Sequence, residues 1–106
     1  MSLSDSTASF ELTDGVLTVT GEIGLHEEVD FERAVKRLLK SEAPALVLDL
    51  SKLTYMNSSC VRIVAEAFGR AQKRGLEVTV RGTQRILRLF QMVGVDQLGK
   101  LELVDG

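Results

Sequence analysis

The stretch Ala45-Leu46-Val47-Leu48-Asp49-Leu50-Ser51-Lys52-Leu53-Thr54-Tyr55-Met56-Asn57-Ser58-Ser59 decides the fold. Its opening, Ala45 to Leu50, is apolar at every position but Asp49. So short an apolar run, lacking a polar face, reads as a central strand with both faces covered, of the kind found in parallel sheets. Ser51 to Met56 reads as the connection that follows. At Asn57 the chemistry changes. Three small polar residues precede a helical stripe made by Val61, Val64, Ala65, Phe68 and Ala71. Arg62, Glu66, Arg70 and Lys73 fill the wet side, so a helix is predicted from Ser59 to Lys73, capped by Gly75.

The flanks repeat the alternation of strand and helix. Upstream, Phe10-Glu11-Leu12-Thr13 and Val16-Leu17-Thr18-Val19-Thr20-Gly21 alternate apolar with polar around Asp14-Gly15, which predicts a hairpin with a tight primed turn. Phe31, Ala34, Val35, Leu38 and Leu39 then recur at helical spacing, with acids early, bases late and Pro44 beyond the end. Downstream, Leu76-Glu77-Val78-Thr79-Val80 alternates as a strand. Thr83 opens a third helix with Ile86, Leu87, Phe90 and Val93 facing inward and Gly94 ending it. Leu101 to Val104 reads as a short last strand. The string is ββαβαβα(β), an α/β domain with crossover connections and one antiparallel hairpin. Strand order and oligomeric state are not written in this pattern.

The chain has 106 residues, enough for one core and too few for two. Residues 1–8 are Ser/Thr-rich with no basic segment, and read as a flexible leader before a domain over 9–106; they carry no signal-peptide pattern. No apolar run approaches the roughly 18 residues of a membrane helix, so no membrane insertion is expected. The formal net charge of −2 gives no bulk attraction to nucleic acid. The first 58 residues are acid-rich and the remainder base-rich, as solvated helix faces or a partner surface would be. The single cysteine, Cys60, fits a reducing, cytoplasmic compartment.

Enzymatic chemistry finds few carriers. His26 is the one histidine, without a second ligand at metal-binding spacing. Neither Gly-x-Gly-x-x-Gly nor Gly-Lys-Ser/Thr is present, so nucleotide loops are missing. Asp49 has no acid or base partner nearby in sequence and is expected to cap a turn with Ser51. No cofactor and no enzymatic activity are expected.

The corner Asn57-Ser58-Ser59 has two readings. Asn and Ser oxygens satisfy the orphan N–H groups of a first helical turn, so all three residues work as caps. A helix N-terminus also tolerates a phosphate, so the second reading makes Ser58 a modification site whose added charge blocks a partner. Cys60 likewise reads either as a small half-buried filler or as a thiol of lowered pKa in a helix's first turn.

The segment Leu46 to Val61 resembles the signature of STAS domains, the anti-sigma factor antagonists and their relatives. That signature is an apolar strand ending Asp-Leu-Ser, an aromatic and an apolar residue, then Asp-Ser-Ser/Ala-Gly-Leu opening a helix. The resemblance extends to Thr20-Gly21-Glu22-Ile23, Arg74-Gly75, Val80-Arg81-Gly82 and Leu89-Phe90-Gln91-Met92-Val93-Gly94-Val95. It implies a mixed four- to five-stranded sheet with three to four helices, acting as a bacterial, non-enzymatic binding module. It implies as partners an anti-sigma factor that is also a serine kinase, and a phosphatase; nucleotide and Mg²⁺ belong to the kinase. It places the phosphorylation at Ser58 and the partner surface at Glu22, Ile23, Gly24, Asn57, Ser58, Ser59, Cys60 and Arg62. The chain departs from the pattern at Asn57 for Asp, Cys60 for Gly and Gly24 for Asp. A non-phosphorylated scaffold or adaptor in a signalling or transport complex is the alternative within the same fold.

Overall fold

In the computed structural model, which describes residues 8–94 and 99–104, the chain opens with the expected hairpin. Strand β1 (Ala8–Thr13) pairs antiparallel with β2 (Val16–Ile23) in an unbroken register from Ala8↔Gly21 to Thr13↔Val16. Asp14 and Gly15 both take positive φ, 50° and 78°, as a type I′ turn demands. Gly15 is fixed by space as well. A Cβ there would lie 2.5 Å from the Ala43 Cβ and 2.9 Å from the Ala45 carbonyl oxygen. The strand begins one residue inside the stretch expected as leader; residues 1–7 lie outside the described residues.

A single 3-10 turn (Leu25–Glu27) leads into helix α1 (Glu28–Leu39), which buries Phe31, Ala34, Val35, Leu38 and Leu39. Then come β3 (Leu46–Met56), α2 (Ser58–Lys73), β4 (Val78–Gly82), α3 (Gln84–Met92) and β5 (Lys100–Leu103). The sheet order is β1-β2-β3-β4-β5, with every pair after the hairpin parallel. Each crossover steps the same way across the sheet. Right-handed crossovers therefore place all three helices on one face, where α2 touches both α1 and α3. The fold is the expected mixed α/β sheet, with five strands and three α-helices among the described residues.

Several expectations need correction. The Ala45–Leu50 strand is not covered on both faces: Leu46, Leu48 and Leu50 are buried under the helices, but Val47 and Asp49 are half-buried on the open face. Nor does it end at Leu50. It continues to Met56, and its register against β2 slips between Thr18 and Thr20 and again between Gly21 and Glu22. In each slip β3 carries one extra residue, a bulge, so the buried positions step from Leu50 to Leu53 and from Leu53 to Met56. Asp49 thus lies inside a strand. It still accepts from the Ser51 N–H (3.0 Å) and hydroxyl (2.6 Å), and it also faces Arg81 at 3.7 Å. In α2 the stripe uses Ala67, and Ala65 is only half-buried. The fourth strand starts at Val78, two residues later than expected. Val93 is 58% exposed, because α3 stops at Met92 and the chain turns away through Gly94 at φ 79°. Val95 lies outside the described residues.

Candidate functional site

The C-terminal ends of β2 and β3 bring the candidate residues together. Asn57 is the residue between β3 and α2. Its N–H donates to the Ile23 carbonyl at 3.0 Å, tying the end of β2 to the start of α2. Its side chain works in two directions. The Oδ1 accepts from the Cys60 N–H at 3.0 Å and caps α2; the Nδ2 donates to Glu28 Oε2 at 2.8 Å, in the first turn of α1. An Asp in this place has no N–H to give and would set two carboxylates face to face. The amide fits this chain because Glu28 stands opposite.

Ser58 is the first residue of α2 and is exposed, with no hydrogen bond to its hydroxyl among the described residues. Ser59 is half-buried and Arg62 exposed. Gly24 is half-buried and its N–H is held by Glu27 Oε1 at 2.9 Å. Glu22 is exposed opposite Tyr55 in the β2–β3 register. Ile23 and Cys60 have 0% exposure, so their side chains belong to the core and shape the corner from below. Burial also settles the two readings of Cys60. Its thiol is pushed up to about 12, first by loss of water and then by the charges of Glu28 and Glu27. The carboxylates that raise it also place negative charge at this corner.

Several further residues stand beside the corner. Leu25 (77% exposed) and Val29 (58%) stand out on the turn entering α1, and Tyr55 (52%) stands at the end of β3. Beyond Asp49, β3 has no registered partner in β4. A cleft of about 340 Å³ opens there between the strand and α3, lined by Thr54, Tyr55, Met56, Arg85, Ile86 and Leu89. Arg85 donates to the Thr54 carbonyl at 2.7 Å, and the Thr54 hydroxyl donates to the Gly21 carbonyl at 3.0 Å. Leu25, a lone apolar residue between Gly24 and His26, was a readable signal; the Glu28–Asn57 bond spans 29 residues and had none. Among the described residues no group of three or more His, Cys, Asp or Glu could hold a metal ion, and no helix is long and apolar enough to cross a membrane.

The polar, capped strand-to-helix corner thus lies at the C-terminal end of β3, in the middle of a sheet covered by helices on one face. The family described as Mlab, STAS domain, matches residues 6–105, and the chain belongs to the STAS domain family. The anti-sigma-B factor antagonist of Listeria monocytogenes is 27% identical over 89 residues, which are 83% of this chain and 78% of that protein. Among solved structures, an anti-sigma factor antagonist from Mycobacterium paratuberculosis is similar with a TM-score of 0.74 and 27% identity, covering 98% of this chain and 92% of that one. The phosphorylated form of the Bacillus cell fate determinant SpoIIAA shares the fold, with a TM-score of 0.64 and 14% identity over 89% of each chain.

Proposed function

We propose that this chain is an anti-sigma factor antagonist of the bacterial cytoplasm, without enzymatic activity of its own. It binds a serine-kinase anti-sigma factor through the corner formed by Glu22, Gly24, Asn57, Ser58, Ser59 and Arg62, with Ile23 and Cys60 supporting it from the core. Phosphorylation of Ser58 by that kinase releases the complex, and a phosphatase restores it. The observation that carries this reading is the exposed Ser58 hydroxyl on the first residue of α2, held in place by a doubly bonded Asn57. The similarity to anti-sigma factor antagonists supports it independently.

The physics of the switch is local. A phosphate on Ser58 brings close to two negative charges to a helix N-terminus that accepts them. It also adds them beside Glu27 and Glu28, so the corner changes its field without a change of fold. Incubation with the cognate kinase and ATP should transfer phosphate to Ser58, read by peptide mass spectrometry. Labelling at Ser59 instead, or none with a partner shown to bind, would overturn the assignment. The scaffold alternative expects Ser58→Ala and Ser58→Asp to bind equally well; the switch expects only Ser58→Asp to lose binding.

A further inference from the structure

We infer that the cleft between the end of β3 and α3 is a docking site for a protein partner, which seats one bulky apolar side chain there and sets a neighbouring carboxylate on Arg85. The inference goes beyond the reading at Ser58 and does not rest on it.

The cleft exists because the sheet splits. β3 pairs with β4 from Leu46↔Val78 to Asp49↔Arg81 and no further. β4 ends at Gly82 and the chain turns through Thr83 into α3, while β3 runs on to Met56 in register with β2 alone. The space left between strand and helix is about 340 Å³. Met56 and Ile86, both buried, form its floor; Tyr55, exposed, and Leu89, half-buried, form its apolar rim. Leu89 and Met92 follow Arg85 at i+4 and i+7 on one flank of α3, and Met92 is 77% exposed, so the apolar surface continues along the helix. Apolar surface gathered in a hollow, rather than scattered singly, is what a binding surface presents.

Arg85 decides what the occupant carries. Its Nη2 donates to the Thr54 carbonyl at 2.7 Å, which holds the guanidinium at the rim. That bond uses one N–H donor and leaves the others. No carboxylate lines the cleft, and no ion pair reaches Arg85 among the described residues. Glu22, opposite Tyr55 in the register, stands on the β2 side of the strand and has an interaction of its own. Arg88, exposed on the next turn of α3, adds positive charge. The cleft is therefore apolar and basic, and its complement is an apolar group flanked by acid. That is the opposite of what the acidic Ser58 corner suits, so the two surfaces select different chemistry.

The occupant belongs to a protein rather than to a free small molecule. Only β3 and α3 wall the cleft among the described residues, so a small ligand would keep much of its surface in water, whereas pockets built for small ligands bury most of them. A side chain projecting from a partner brings its own cover. The surface around it closes over the rim and shields the pair made by Arg85 and the carboxylate from water. A charge-assisted hydrogen bond shielded in this way is stronger than one left exposed.

NMR titration of the isotope-labelled full chain tests it. The probe is a capped peptide, Gly-Ser-Glu-Leu-Phe-Glu-Ser-Gly, and the control is the same peptide with Lys for each Glu. The acidic peptide should bind saturably, with shift changes centred on Tyr55, Arg85 and Leu89. The basic peptide should bind at least about tenfold more weakly. Arg85→Glu should reverse that preference, and Arg85→Gln should remove it. Leu89→Ser should weaken the acidic peptide several-fold and leave the preference in place. Circular dichroism checks the fold of each variant, and the comparison of the two peptides on wild type needs no variant. Ser58 and its kinase take no part in these measurements, so the two readings fail separately. Absence of saturable binding would overturn the inference, as would equal affinity for the two peptides or shift changes centred away from the cleft.

Discussion

Asn57 and Cys60 are the two residues at which the corner departs most from its family pattern, and both departures have a physical reason. Asn57 caps α2 with its oxygen and holds Glu28 with its nitrogen. Asn57→Asp keeps the cap and inverts the second contact. Urea unfolding at pH 7 should show a loss of about 1–2 kcal/mol, from a charge-assisted hydrogen bond replaced by like charges. The facing carboxylates raise one another's affinity for a proton in the folded state, so the deficit is felt at neutral pH and shrinks as pH falls to about 4. Equal stability of variant and wild type at both pH values would mean that the Glu28 contact contributes nothing. Cys60 behaves as a core atom. Its folded pKa, near 12, stands above that of an unfolded thiol. The stabilisation from keeping it protonated is therefore complete below about pH 8.5 and is lost as pH rises toward 12. An aromatic disulfide reagent at pH 8 should label native protein only as fast as it unfolds; prompt labelling would show an open corner.

Among the elements, those with one regular period were legible and those with an interrupted period were not. The hairpin was readable because Asp14-Gly15 is a turn that only such residues make comfortably. Gly15→Ala tests this: φ 78° is strained for a Cβ, and the Cβ has no room beside Ala43. The variant should unfold about 2–3 kcal/mol more easily, visible as a lower urea midpoint at constant slope. A midpoint unchanged from wild type would refute the crowding seen there. Helices α1 and α2 were legible from their stripes. The second half of β3 was not, because Leu50, Leu53 and Met56 are spaced by three, a step that matches no regular strand. Only pairing with β2 shows each step as a bulge. The same bulges carry β3 past its last partner in β4 and deliver Tyr55 to the surface and Asn57 to the corner. Val93 failed for the opposite reason: its period was right, but the helix ended one residue before it. At the site, the cap was legible from local chemistry, while Glu28, Arg85 and the cleft depend on contacts between segments about 30 residues apart.

For the molecule as a whole, the helices cover one face and the C-terminal ends of β2 and β3 gather the candidate residues, so a change at their exposed side chains need not disturb the core. Ser58 is exposed on the first residue of α2. Its position at a helix N-terminus favours added negative charge by about 0.3–1 kcal/mol, which the nearby Glu27 and Glu28 offset. Ser58→Asp should therefore melt within a few degrees of wild type, with NMR shift changes confined to the ends of β2 and β3 and the first turns of α1 and α2. Binding is the quantity that should move. The unmodified corner presents Glu22, Glu27 and Glu28 around exposed Leu25 and Val29. Such a surface suits a partner with an apolar centre and a basic rim, and acidic charge steers it during approach. The association rate should then fall as salt rises from about 0.05 to 0.5 M, while the dissociation rate changes little. A phosphate on Ser58 makes the corner more acidic, so release cannot come from poorer steering. In the proposed switch it comes from the contact itself, through desolvation of the added charge against the partner. Stopped-flow measurements should accordingly show Ser58→Asp leaving the complex at least about tenfold faster, with an association rate near that of wild type. A loss confined to the association rate would place the effect in the encounter and count against a switch that acts by contact at Ser58.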